Sequence, residues 1–336
     1  MHEPDSTTGD QVEGVLAPGV QTELASAVEP EERRALVIGE ALVDVVSRAD
    51  GTRTEHPGGS PMNVAIGLAR LRRGVDLLTW FGTDARGAEI AAHLAASGVA
   101  VVPGSDGADH TSVAEAVLDA TGAATYVFDL AWQVPEHWAS PPAPPLVVHT
   151  GSIGAVLEPG ATDVARILQA HRASATLTYD PNVRPSLMPP PEETAALVDH
   201  LVTLSDVVKV SDEDLTWLDP AADPLEHARR WASMGPAAVV VTRGGAGAVA
   251  VTATGLEVQV PAPPVQVADT VGAGDSFMGG LIDGLWSAGL LGAERRPALR
   301  DAGTEVWRAV LERCARIAAI TVSRPGANPP TAAELD

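Results

Sequence analysis

From Arg34 onward, short runs of β-branched and aliphatic residues take turns with longer segments whose apolar residues recur at helical spacing. Four or five apolar residues in a row, with no alternating polar partner, read as strands covered on both faces. Helices between such strands are the connections of a parallel sheet. The predicted strands are residues 35–38, 77–80, 146–149, 176–179, 207–210 and 238–242. The predicted helices are residues 62–72, 85–96, 161–171, 192–204, 224–234, 274–288 and 304–322. The fold class that follows is α/β, a doubly wound and mostly parallel sheet flanked by helices.

Two stretches break the alternation. Residues 41–55 and 111–128 have period-2 patterns joined by Asp50-Gly51 and Thr121-Gly122 turns, with no helix between the halves. They predict a small antiparallel β-flap, or lid, with strands from about 41–56 and 110–130. The proline-rich piece from Pro141 to Pro145 returns the chain to the sheet as a stiff connector. Residues 1–33 are acidic, rich in Glu, Ser, Thr, Gly and Pro, and lack any apolar period, which predicts a mobile tail. The expected division is therefore this tail, one folded unit over 34–330, and a short C-terminal tail at 331–336.

Charge and cysteine narrow the chemistry. Acidic residues outnumber basic ones 44 to 22, so the average surface field repels phosphate backbones and anionic lipid and speaks against nucleic-acid or membrane partners. A phosphorylated ligand then needs local compensation from amides, a metal ion or a few placed cations. Cys314 is the only cysteine, which fits a reducing compartment and points to a small buried helix residue. No stretch has the length of a membrane span, and the N-terminus lacks the order of a secretory signal, so a cytoplasmic protein is expected. Lys209 is the only lysine among the 22 basic residues, and no G-x-x-x-x-G-K-[ST] is present, which excludes a P-loop. The nine histidines are scattered without metal-ligand spacing.

The most informative segment runs from Ala268 to Phe277, Ala-Asp-Thr-Val-Gly-Ala-Gly-Asp-Ser-Phe, and passes from a proline-rich loop into a helical pattern. Gly272, Ala273 and Gly274 let amides converge at a helix start, where the helix dipole adds partial positive charge. That is an anion hole made without lysine. It can hold the charge that spreads over equatorial oxygens in phosphoryl transfer. Asp275 beside it suits a base for an attacking hydroxyl. A tightly packed helix start with Asp275 in its first turn explains the same residues equally well on their own.

This segment, together with Gly58-Gly59-Ser60-Pro61-Met62-Asn63-Val64-Ala65, resembles the two signatures of the ribokinase (PfkB) carbohydrate kinases, and the likeness runs in order from about Leu36 to Pro330. The resemblance implies a ribokinase-like fold, ATP with Mg²⁺, and Asp275 as the base. It gives Asp44, after the first strand, the task of binding sugar hydroxyls, with Gly58, Gly59 and Asn63 beside it. By residue chemistry alone, Asp44 is as often a turn residue, and the Gly58-to-Asn63 run reads as an ordinary glycine-rich loop. Asp180-Pro181-Asn182-Val183-Arg184 matches the D-x-N-x-R segment of fructokinase-like members and turns Arg184 toward sugar or phosphate.

Lys209-Val210-Ser211-Asp212-Glu213-Asp214 corresponds to the family's N-x-x-E region, which places Lys209 by the nucleotide and Asp214 by Mg²⁺ through water. Asp214 is one methylene shorter than the usual Glu. Thr242, Gly244 and Gly247 fall in the strand and loop that border the nucleotide. Ser323 to Asn328 matches the loop over adenine that, with Asp269 and the Val271 carbonyl, frames a monovalent cation such as K⁺ in many relatives.

The implied reaction is ATP-dependent phosphorylation of a primary hydroxyl of a small sugar. Gly-Gly-Ser-Pro, Asp-Pro-Asn-Val-Arg and Lys-Val-Ser-Asp-Glu-Asp look closest to fructokinases. Met188 stands where many fructokinases have Trp, which keeps 2-keto-3-deoxygluconate kinase and ribokinase or nucleoside kinase as alternatives. A silent sugar-binding regulator is the competing class. Relatives often pair through the lid, so a homodimer through that sheet is expected.

Overall fold

The structure is a computed structural model that describes Met1 and residues 33–119, 124–139, 141 and 143–336. Residues 2–32 of the predicted acidic tail, the Thr121-Gly122 turn and Pro142 of the connector lie outside the described residues.

The chain enters the core as β1 (Ala35–Ile38), turns out into a hairpin of β2 (Leu42–Ser47) and β3 (Arg53–Gly58), and returns as α1 (Ser60–Arg70). Then come β4 (Val75–Leu78), α2 (Ala85–Ser97), the short β5 (Ala100–Val101) and a second hairpin of β6 (Val113–Leu118) and β7 (Ala124–Asp129). Strand–helix alternation follows as β8 (Val147–Gly151), α3 (Gly160–His171), β9 (Thr176–Asp180), α4 (Pro191–Leu204) and β10 (Val207–Ser211). The chain continues through α5 (Asp212–Leu218), α6 (Pro224–Met234), β11 (Ala238–Thr242), β12 (Ala248–Thr252) and β13 (Glu257–Val260). It closes with α7 (Ala273–Ser287), α8 (Arg296–Arg300) and α9 (Thr304–Val322).

Among the described residues, nine strands form one sheet in the order β13-β12-β11-β10-β9-β8-β1-β4-β5. It is parallel from β11 through β5, and β12 and β13 add an antiparallel edge. The continuous apolar runs are the reason. Every residue of β1, β8 and β9 is buried, because helices cover both faces. Helices α1, α2, α7 and α9 pack one face through Met62, Ile90, Met278 and Trp307, and α3 to α6 pack the other through Ile167, Val198, Leu215 and Trp231. Cys314 is buried in α9, as a lone cysteine in an apolar helix face should be.

The remaining four strands form the lid in the order β3-β2-β6-β7. Both hairpins are antiparallel, and they join through a parallel pairing of β2 with β6. Hairpin signals in a sequence are local, so this long-range pairing had no sequence counterpart.

Element ends moved by one or two residues for local reasons. The first helix begins at Ser60, not 62, because Pro61 sits in its first turn, where the missing N–H costs nothing. Strand β4 ends at Leu78 because the Thr79 amide turns to the Ser105 hydroxyl. Asp84 and Asp223 cap α2 and α6 through the first-turn amides.

Candidate active site

Strands β8, β9, β10 and β11 end side by side at Gly151, Asp180, Ser211 and Thr242, and the loop after β1 leaves the sheet at the same level. In an open α/β sheet this carboxyl end is where ligands bind. Helix α7 lays its N-terminus against it.

That N-terminus is uncapped. Gly272 takes the N-cap position at φ 74°, and no side chain bonds the first-turn amides. The amides of Gly272, Gly274 and Asp275 have no acceptor among the described residues, whereas Ser276 already donates to the Gly272 carbonyl. A Cβ on Gly272 would stand 2.5 Å from that of Ala327, so the left-handed turn and its close neighbour both require glycine. Free amides and the positive end of a 15-residue helix thus face one point.

Asp275 sits in the first turn of α7 and is only 9% exposed. Its two oxygens have separate donors. Ser60 Oγ donates to Oδ1 at 2.7 Å, and Asn63 Nδ2 donates to Oδ2 at 2.8 Å. Helix α1 therefore grips the carboxylate from the side and fixes its direction.

The lid contributes Asp44, from the middle of β2. Gly58 lies across from Leu42 at the end of β3, and a Cβ there would stand 2.1 Å from Asp44 Oδ2, so the absent side chain makes the carboxylate's seat. The tip of Asp44 is open to water, yet its neighbours crowd it. This desolvation raises its pKa to about 6, with Arg184 opposing the rise and Asp275 adding to it. Arg184 is exposed, and its guanidinium donates to the Asn182 and Val183 carbonyls at 3.1 and 3.0 Å. The residue forms no ion pair among the described residues, but its charge is felt at both Asp44 and Glu40.

Lys209 projects from β10 on the face that α7 covers. It is 3% exposed, and its ammonium donates to Asp180 Oδ2 at 2.7 Å. A Cβ on Gly274 would stand 3.1 Å from Nζ, so the ammonium packs directly against the glycine turn. Burial alone would lower its pKa, but Asp180, Asp214 and Asp275 outweigh this and raise it, which keeps the ammonium charged.

The other predicted residues lie around this centre. Asp214 accepts from the amides of Val183 at 3.1 Å and Ser211 at 3.3 Å, a capping box that ties α5 to the Asn182–Arg184 loop. Thr242 ends β11 beside Ser211, while Gly244 and Gly247 turn the chain into the antiparallel β12. None of these three bonds to the Asp275 cluster among the described residues. Asp269 accepts from the amides of Val271 at 3.0 Å and Gly326 at 2.8 Å, which hold its carboxyl below the usual range and draw the two loops together. Asp269 thus stays ionised between Val271 and the loop at 323–328.

Two site residues had no role in the sequence reading. Glu40, 5% exposed, accepts from the Gly154 amide at 2.9 Å and the Ser60 amide at 3.3 Å. Burial raises its pKa to about 7, opposed by backbone amides, the Ser152 hydroxyl and Arg184. It braces the loop that carries Ser60 to Asp275. Its signal was a carboxylate one glycine beyond a fully apolar strand. Ser60 itself is part of the quoted glycine motif, but its bond to Asp275 spans 215 residues and no local pattern announces it.

The description "pfkB family carbohydrate kinase" matches residues 32–334. The fructokinase of Klebsiella pneumoniae is 33% identical over 261 residues, covering 76% of this chain and 85% of that one. Among solved structures, the fructokinase of Xylella fastidiosa superposes with TM-score 0.75 at 26% identity, over 90% of this chain and 97% of the other. A double mutant of the Vibrio cholerae fructokinase, bound to fructose, ADP and potassium ion, matches with TM-score 0.71 at 25% identity, over 88% and 94%.

Proposed function

The chain belongs to the pfkB family of carbohydrate kinases and is an ATP-dependent sugar kinase, and on that premise we propose that it phosphorylates the primary hydroxyl of fructose to give fructose 6-phosphate. The observation that carries the reading is a buried carboxylate, Asp275, held by Ser60 and Asn63 at the uncapped start of α7. Fructose as the substrate rests on the fructokinases it resembles in sequence and shape, and on the Gly-Gly-Ser-Pro and Asp-Pro-Asn-Val-Arg segments.

In this reading Asp44, Gly58, Gly59, Asn63 and Arg184 bind the sugar between lid and sheet. ATP approaches from the side of Thr242, Gly244 and Gly247. Asp275 takes the proton from the sugar hydroxyl as its oxygen bonds to the γ-phosphorus, the bond from that phosphorus to the β,γ-bridging oxygen breaks, and ADP leaves. The Gly272, Ala273 and Gly274 turn holds the transferred group through the free amides of Gly272 and Gly274, the Ala273 amide being already donated to the Thr270 carbonyl at 3.3 Å. Lid closure keeps water from competing as acceptor.

Mg²⁺ would arrive on the nucleotide phosphates and neutralise their charge. Among the described residues no three carboxylates, histidines or cysteines gather to hold it unaided, which suits an ion carried mainly by its substrate. Asp214 is the nearest candidate for a water-mediated contact. K⁺ would be held by the Asp269 carboxylate and the Val271 carbonyl, where it would strengthen the positive field at the turn.

We place the working form in the cytoplasm as a homodimer paired through the lid. Tyr126, Val127 and Val117 of the lid are 59%, 55% and 41% exposed, and β7 is a free edge, a combination that calls for cover. No described helix is long and apolar enough to cross a membrane.

The test is an ATP-consumption screen against fructose, 2-keto-3-deoxygluconate, ribose and adenosine, with and without K⁺, alongside sedimentation of the free protein. Fructose should give the highest kcat/KM. Turnover confined to another acceptor would overturn the substrate, and sugar binding with no ATP use would favour a silent regulator.

A further inference from the structure

The sequence uses arginine almost everywhere it needs a fixed positive charge and keeps one lysine, which it buries against the turn where phosphate would bind. A buried ammonium is expensive to desolvate, and a buried ion pair adds little to stability that apolar residues of like volume would not supply. The position therefore invites a functional account.

Three observations converge on one. Lys209 and Asp180 stand at the carboxyl end of adjacent strands, with side chains 3% and 1% exposed, so neither can swing out to meet a ligand. The ammonium has three N–H groups and a single acceptor among the described residues, Asp180 Oδ2. Its far side faces Gly274, only 3.1 Å from where a Cβ would be. Glycine at that position is what lets the charge come so close beneath the amides. An arginine head is larger and planar, and would push into the turn.

We propose that Lys209 is the positioning cation of the phosphate site: clamped by Asp180 under Gly274, its ammonium supplies the charge that lets the Asp275 carboxylate and the transferred phosphoryl group stand side by side. Two anions in one pocket repel, and the amides of a helix start supply only about half an elementary charge. A full charge beneath them, in surroundings too tightly packed to relax, offsets the repulsion without touching substrate. Lys209 therefore acts through the turn and through Asp275. Its field also helps hold the neighbouring buried His149 neutral, with a pKa pushed down to about 3 chiefly by burial, so that lysine and not histidine carries the charge there.

This inference rests on the reading of Gly272–Gly274 as the phosphate site, and the experiment separates the two. The key variant is the pair Asp180→Asn with Lys209→Met, which removes the ammonium while leaving no unpaired carboxylate behind. We expect kcat to fall by about 10²-fold, the scale of losing one preorganised donor to a transition state, with sugar KM unchanged and a wild-type melting curve. Recovery of wild-type kcat in the double variant would mean that Lys209 serves only to neutralise Asp180, and the proposal would be wrong. Because the variant can fail to fold, a second measurement uses the wild-type enzyme. Labelling with ¹³C,¹⁵N-lysine gives a single side-chain signal, which should shift when ADP and beryllium fluoride, a mimic of the transferred group, are added with Mg²⁺. A signal that stays put would equally overturn the proposal. Asp275→Asn is the control for the premise. If that variant still turns over, the site reading fails first. If it is dead while the double variant is fully active, only the role of Lys209 fails.

Discussion

The main sheet and the lid hold charge in opposite ways. In the main sheet Lys209 and Asp180 are locked in the interior, with side chains 3% and 1% exposed. In the lid, Glu55 meets Arg86 of α2 through two hydrogen bonds of 2.8 and 2.9 Å, but both side chains keep about a third of their surface in water. The buried pair cannot relax, so its field points one way. The wet pair can break and reform without leaving a bare charge in the interior. A kinase needs both, a fixed field where charge develops and a cover that opens.

The contrast breaks if the sheet side proves tolerant. Replacing Asp275 by Asn should cost about 10²-fold to 10⁴-fold in kcat, the usual worth of a general base, while sugar binding measured by calorimetry survives. Turnover near the wild-type rate would remove Asp275 from the role of base. Gly272→Ala should come next. It imposes a φ of 74° on a residue with a Cβ and drives that Cβ within 2.5 Å of Ala327, so a loss of about 1–3 kcal/mol in stability is expected from strain alone. Denaturant melts measure it, and nucleotide affinity should fall with it.

Acid sharpens the contrast from the lid side. If Asp44 accepts two sugar hydroxyl bonds as proposed, it must be ionised to do so, and crowding raises its pKa from the ordinary aspartate range to about 6. Below pH 6, kcat/KM for sugar should therefore fall about tenfold per pH unit, since a protonated fraction is lost to binding. The free protein should respond with the opposite sign. A carboxyl with a raised pKa favours the folded state as it protonates, so this group's contribution to stability appears as pH falls from about 6 toward 3.8 and is lost as pH rises through 6. Sugar affinity that stays flat between pH 7 and 5, by calorimetry, would show that Asp44 does not carry the contact.

The same contrast explains what the sequence disclosed. Strands β1 and β11 and helices α6 and α9 matched their predicted limits, because a run such as Ala238 to Thr242 has only one environment, buried on both faces, in which it makes sense. The Gly272-to-Asp275 turn was legible for a related reason: glycine, alanine and aspartate at a helix start are a local chemical statement. The partners of that turn were not. Ser60 and Asn63 reach Asp275 across more than 200 residues, and Lys209 meets Asp180 across a strand pair, distances at which spacing carries no signal. Glu40 was visible as an odd carboxylate after an apolar strand, but its acceptor role depends on where the Ser60 and Gly154 amides arrive.

The smallest effect belongs to the lid tie itself. Arg86→Ala should lower stability by only about 0.2–1 kcal/mol, because an ion pair this wet gains little over its separate hydrated partners and salt screens what remains. Chemistry should be untouched, since neither Arg86 nor Glu55 bonds to any residue of the Asp275 cluster. What should change is lid motion. Glu55 lies in β3, the strand that ends at Gly58 and so carries the seat of Asp44, and Arg86 anchors it to a helix of the main domain. Freed of that anchor, the lid should let more ATP react with water when no sugar is present, while kcat for sugar stays level. A ratio of ATP hydrolysis to sugar phosphorylation that is the same in Arg86→Ala and wild type would show that the tie is ornamental to closure, and that both sheets move as one.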